Sequence, residues 1–137
     1  MTTSTPTPRS LLATLTDLRT VLKIDAVVTG ANGAVYVAVA AALDDLLGVP
    51  TGVLRAVGAF LIAYAIAVAA ISTPRSISRP LTYGVVAANA VWASASVVAV
   101  AVGWYSPTMM GSIWIIMQAV VVAGFAELQL NALRRAR

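Results

Sequence analysis

The chain has 137 residues, of which 60% are hydrophobic and only 10% charged, with a mean hydropathy of +0.90, whereas soluble domains carry about a quarter charged residues. A soluble fold of this length could not hide so much apolar surface, so one compact membrane domain is indicated. With neither histidine nor cysteine, the sequence lacks an essential member of zinc and haem sites, thiol nucleophiles, Ser-His triads and disulfides. No metal and no cofactor is expected. The net charge of +4 does not point to nucleic acid, because the basic residues flank apolar segments and form no patch with interleaved aromatics. Anionic lipid headgroups on one side of a bilayer account for them better.

Residues 1–9, "MTTSTPTPR", are rich in Thr and Pro without apolar periodicity and read as a disordered tail. Over 10–24 the apolar residues Leu11, Leu15, Leu18 and Leu22 recur at spacings of four, three and four, while Thr14, Asp17, Arg19 and Lys23 fall off that stripe. That pattern predicts an amphipathic helix, on the membrane surface or against the bundle. A transmembrane domain over 25–130 follows, with four spans near Ala26 to Leu43, Gly52 to Ile71, Leu81 to Trp104 and Met109 to Leu128. Each has close to the ~20 residues that cross ~30 Å of hydrocarbon. Residues 131–137 form a basic tail.

Of the nine Lys and Arg residues, eight lie before the first span, between the second and third, or after the fourth. These regions share one side of the membrane, which the positive-inside rule makes cytoplasmic. The sequence therefore predicts a multi-pass plasma-membrane protein with both termini in the cytoplasm. Arg55 falls on the outer side, within reach of Asp44 or Asp45 for pairing.

A shift of 57 residues superposes Ala31-Asn32 on Ala88-Asn89 and Pro50-Thr51 on Pro107-Thr108 without a gap. Either the chain is a duplicated helical hairpin or its composition produces the match by chance. As each half holds two spans, a duplication would be parallel, about an axis along the membrane normal. The stretch "TGANGAVY", Thr29 to Tyr36, carries an Asn-Gly pair that would signal a tight turn in a soluble protein. A turn there would cut the first span into pieces too short to cross and expose backbone groups that lipid cannot satisfy. The stretch is therefore predicted helical, and Ala26, Gly30, Ala34, Ala38 and Ala42 then form a small-residue packing stripe at spacing four.

Asn32, Asn89, Tyr36, Tyr64 and Gln118 are polar groups inside the predicted spans. They serve either as interhelical hydrogen-bonding groups in an ordinary polar core or as the lining of one cavity. Trp104 and Tyr105 suit the headgroup layer at the end of a span, while Trp92 and Trp114 lie deeper, as packing or as stacking groups for a ligand. Met109, Met110 and Met117 read as apolar filling. Asp25 pairs with Lys23 or caps the surface helix, and Glu127 lies near the interface, solvated or paired. No carboxylate pair sits mid-membrane, so acid–base catalysis has no visible machinery and no enzyme is expected.

The segments "LKIDAVVTGANGAVY" and "AVVVAGFAELQL" resemble those of small uncharacterised four-helix integral membrane proteins of actinobacteria, with Ile24 to Gly33 the most specific part. The resemblance spans residues 18–135. It implies the four-helix fold and a plasma-membrane location, but brings no activity.

The sequence thus predicts an all-α membrane protein, a four-transmembrane-helix bundle with an N-terminal amphipathic helix. Its first functional reading is a non-enzymatic structural or accessory subunit, working through helix–helix contacts in a homo-oligomer or a larger membrane complex. The alternative is a small transporter, channel or lipid- or small-molecule-binding protein with a polar cavity inside the bundle.

Overall fold

The computed structural model describes residues 17–135. Five helices follow one another: α1 (Leu18–Ala38), α2 (Ala40–Leu47), α3 (Thr51–Ser72), α4 (Arg79–Ala101) and α5 (Met109–Arg135). All but α2 are long and apolar enough to cross a membrane, and the fold is an all-α membrane bundle of four spans. The predicted tail over 1–9 lies outside the described residues, as do the first part of the predicted 10–24 helix and the last two residues of the basic tail.

Prolines set two of the helix starts. Pro50 is the N-cap of α3 and Pro80 occupies the first turn of α4, where a missing N–H costs nothing. Gly48 ends α2 at φ 73°, a left-handed conformation that glycine adopts without penalty. No such breaker lies between Leu18 and Thr29, so from Leu18 onward the predicted surface helix is not a separate element. It runs through Asp25 into the first span. The Asn32-Gly33 pair is helical. At Val39 the helix bends, yet Val39 N–H still donates to Val35 O and Leu43 N–H to Val39 O. α1 and α2 are thus one bent rod, which would be too long to stand straight across ~30 Å of hydrocarbon at ~1.5 Å per residue.

The burial pattern is turned outward. Asp25, Ser72, Thr82, Asn89, Ser96 and Gln129 are buried, while Phe60, Ile66, Val91, Val98 and Val120 are exposed. In water such a surface would aggregate; in lipid it is solvated, and the polar groups find partners inside.

α1 packs along α3, and α4 along α5, giving two helical hairpins side by side. Inside the first, Gly33 and Gly58 face each other so closely that a Cβ on either would lie 2.7 Å from the other's carbonyl oxygen. Backbone meets backbone there. The predicted small-residue stripe contributes to this contact only at its beginning. Ala26 is buried and a Cβ at Gly30 would meet Ala65 at 3.3 Å, but Ala34, Ala38 and Ala42 are exposed. A spacing of four overshoots the 3.6-residue turn, so the stripe drifts about 40° per step and turns away from α3.

The hairpins are latched at the end opposite Leu18 and Arg135. Thr108 donates its N–H to Leu47 O at 3.0 Å and its hydroxyl to Leu46 O at 2.7 Å, and Gly111 N–H donates to Thr108 Oγ1. A side chain at Gly111 would collide with Leu47. Asp44 accepts from the N–H and hydroxyl of Thr51 at 2.9 and 2.8 Å, so it satisfies an orphan donor at the start of α3 and does not take up the predicted pairing with Arg55.

At the opposite end each hairpin carries an arginine clamp. Arg19 donates to the carbonyls of Ser72, Pro74 and Arg75 at the end of α3, and Arg79 donates to Leu133 O near the end of α5. A guanidinium suits the negative pole and unpaired carbonyls of a helix C-terminus. The clamps relate the hairpins by an offset of 60 residues, not 57. At 60 the inward faces of the first helices superpose: Leu22 on Thr82, Asp25 on Val85, Thr29 on Asn89, Gly33 on Ala93 and Tyr36 on Ser96. The offset of 57 survives where the two Pro-Thr pairs open α3 and α5. On the helix faces the counterpart of Asn89 is Thr29, not Asn32.

Candidate functional site between the hairpins

The apolar stripe that begins at Leu18 and Leu22 continues along α1, by the same alternation of three and four, to Asp25 and Thr29. Helical geometry therefore carries a carboxylate onto the face that packs inward. Asp25 is 1% exposed. Its Oδ2 accepts from Gln129 Nε2 at 2.7 Å and from Asn89 Nδ2 at 3.0 Å, and its Oδ1 accepts from Thr29 Oγ1 at 3.0 Å. Asn89 Nδ2 also donates to Gln129 Oε1 at 3.1 Å, and Tyr64 OH donates to Asn89 Oδ1 at 3.0 Å. All four spans meet in this network: α1 supplies Asp25 and Thr29, α3 Tyr64, α4 Asn89 and α5 Gln129.

Among the described residues Asp25 has only uncharged hydrogen-bond partners. The three donors match the acceptors of an ionised carboxylate but would not cancel its charge. Burying a charge this way is expensive, and ionisable residues within spans mark ion, proton or substrate paths. No buried side-chain nitrogen or oxygen among the described residues lacks a partner, so the network is closed and its geometry well defined.

A cavity of about 200 Å³ lies against this network, with Thr29 and Asn89 in its wall. Asn32, Tyr64 and Gln118 line it too, along with Phe60, Trp92, Trp114 and Phe125. Towards the latched end lies a second cavity, of about 230 Å³, bordered by Tyr36, Ser96 and Trp104. Trp92, Trp114 and Gln118 belong to both walls. The two spaces are thus successive parts of one seam between the hairpins, with the indoles at their junction. Trp114 Nε1 is fixed by donating to Tyr36 OH at 2.7 Å, and Trp92 stacks on Phe60 with ring centres 5.8 Å apart.

The five polar residues singled out in the sequence all reach this seam. Asn89 and Tyr64 share the network, Tyr36 holds Trp114, and Asn32 and Gln118 face cavity space with no side-chain partner among the described residues. Lys23 is exposed and Asp25 buried, so their predicted pairing gives way to the interior network. Met117 lines the first cavity, while Met109 and Met110 are exposed. Trp104 and Tyr105 stand exposed in the connection after α4. Asp25, Thr29 and Gln129 were not singled out as site residues. Extending the leucine stripe by two steps finds the first two, and Gln129 falls on the continuation of α5 beyond Leu128, the predicted end of the span.

The chain matches no protein-family model, no curated protein and no solved structure.

Proposed function

We propose that this membrane protein is a small-ligand binder of the transporter or carrier kind, with its binding site in the seam between the two hairpins. The observation that carries this reading is the combination at one place of an aromatic-walled cavity, Asn32 and Gln118 facing it with no side-chain partner among the described residues, and buried Asp25 behind its wall. A merely structural polar core would use its amides to join helices, as Asn89 and Gln129 do. The reading is non-enzymatic, because a single carboxylate held by three donors supplies neither an acid–base pair nor a nucleophile with its base. The two segments that resemble small actinobacterial membrane proteins meet at this site, one carrying Asp25 and the other Gln129.

In this proposal the protein lies in the plasma membrane with both termini cytoplasmic and its basic residues against anionic headgroups. Cysteines placed at Asp45 and at Arg75 test the orientation, since only the first should react with an impermeant reagent outside the cell. The ligand reading is tested by the native mass of the full chain released from its membrane. A small molecule or lipid retained at one copy per chain, and lost when Ala88→Trp fills the cavity, is the expected result.

An accessory-subunit role is the second reading, favoured by one observation. Ala34, Ala38 and Ala42 are exposed, so part of a small-residue stripe faces outward where another helix could approach closely. A fixed protein partner or a defined homo-oligomer, with no retained small molecule, would favour it over the first.

A further inference from the structure

The charge in the seam is one-sided. Asp25 lies directly behind Thr29 and Asn89, both of which touch it and both of which form cavity wall. Among the described residues neither cavity has a lysine or arginine in its lining. What the first cavity does present is the rings of Trp92, Trp114, Phe60 and Tyr64 and the amides of Asn32 and Gln118, which have no side-chain partner among the described residues. A negative charge behind an aromatic wall attracts cations twice over, through the carboxylate and through the ring quadrupoles. Amide oxygens can turn toward a cation as well.

We infer that the cavity takes a monovalent organic cation, an alkyl- or arylammonium, with Asp25 as its counter-charge. The inference rests on the reading of the cavity as a ligand site and goes further by assigning the ligand's charge and class.

Asn89, Gln129 and Thr29 all donate to Asp25, so the network offers the carboxylate hydrogen-bond donors but no cation among the described residues. Asn89 Oδ1 is held by Tyr64 OH. The ionisable group facing Asp25 across the network is Tyr64 of α3. From α4 and α5 it meets the neutral Asn89 and Gln129, and Lys23, Glu127, Arg134 and Arg135 are exposed.

The test uses the full-length protein in detergent micelles with two probes of the same shape, benzyltrimethylammonium and its uncharged isostere neopentylbenzene. Binding is followed by calorimetry and tryptophan fluorescence. The cation should bind at least tenfold more tightly than the isostere. Asp25→Asn should lower cation affinity at least tenfold and spare the isostere. If Asp25→Asn does not fold, the comparison of the two probes on the unaltered protein decides. Equal binding of both probes, or binding of the isostere alone, overturns the inference and leaves the ligand cavity standing. Binding of neither probe overturns both.

Discussion

Gly33 and Gly58 bring α1 and α3 together until backbone touches backbone, whereas on an adjacent face of α1 the hairpins meet through the side chains of Asp25, Asn89 and Gln129. The first contact is dry and made of van der Waals packing with no room for adjustment. The second is polar and flanked by open space. Both hold helices together in lipid, where there is no hydrophobic force between helices and packing or hydrogen bonds must do it. The difference separates their roles: the glycine contact fixes each copy of the first hairpin as a rigid unit, and the seam is where a small change in charge or ligand can be accommodated.

The sharpest way to break that contrast is to put a side chain in the glycine contact. Gly33→Leu should have the largest effect of any substitution considered, about 3 kcal/mol or more, because even its Cβ would overlap the Gly58 carbonyl and overpacking is not relieved by rotating a side chain. Thermal unfolding in detergent would show it as a large fall in midpoint or as loss of folded protein. Gly30→Leu should cost less, since its first atom meets the Ala65 Cβ at 3.3 Å. Gly84→Leu should be nearly silent, because nothing lies within 4 Å of a Cβ there. A silent Gly33→Leu would mean that α1 and α3 do not meet as described.

The seam should respond differently to removing a group and to removing only its charge. Asp25→Ala strips an acceptor from Asn89, Gln129 and Thr29 at once, and unsatisfied buried donors cost about 1–3 kcal/mol. Asp25→Asn keeps the shape and removes the buried charge, so stability should stay within about 1 kcal/mol or rise, as expected where a polar site is kept for function. Chemical or thermal unfolding of the two variants side by side checks this. If both are equally destabilised, the carboxylate is structural and the seam resembles the glycine contact more than it differs from it.

The arginine clamps test whether the hairpins are equivalents. Arg19→Ala and Arg79→Ala each remove a cation from a helix C-terminus, and each should cost about 0.3–2 kcal/mol. Arg19 serves three carbonyls and Arg79 one, so the first should be the costlier. A null result at both would remove the clamps as a basis for the offset of 60.

The four spans were legible because apolar length is a strong signal in a chain of this composition, and Pro50 and Pro80 mark helix starts by covalent geometry. The end of α5 was less so: Gln129, Arg134 and Arg135 lower the hydropathy, yet the helix continues to Arg135, since hydropathy reports the membrane boundary and not the end of hydrogen bonding. The close contact was placed on Gly30 and its spacing-four stripe when it belongs to Gly33, a position whose partner Gly58 is far along the chain and invisible to local spacing. Local spacing offers Asp25 a pairing with Lys23 or a cap on the surface helix, both near it in sequence. Neighbours two apart on a helix point in nearly opposite directions, so the pairing was sterically poor from the outset, and the leucine stripe leading to Asp25 was the better guide.

The smallest expected effect on stability separates two residues that the offset of 57 makes equivalent. Asn89 is 4% exposed and holds Asp25, Gln129 and Tyr64 together, so Asn89→Ala should cost at least the ~0.5–2 kcal/mol typical of polar contacts between membrane helices. Asn32 has no side-chain partner among the described residues and only borders the cavity, so Asn32→Ala should leave the unfolding midpoint unchanged. Its influence should fall instead on occupancy of the cavity, read as the affinity of a retained ligand or of the ammonium probe. The equivalence by offset 57 requires the two alanine variants to behave alike; the superposition by offset 60 requires Asn89 to be matched by Thr29, whose hydroxyl also donates to Asp25. Thr29→Ala should therefore resemble Asn89→Ala in kind, with a smaller loss because it removes one hydrogen bond and not three. Should Asn32→Ala prove the more destabilising, the amide would have to be a helix tie, and the seam would lose one of the two unpartnered groups that mark it as a place for a ligand.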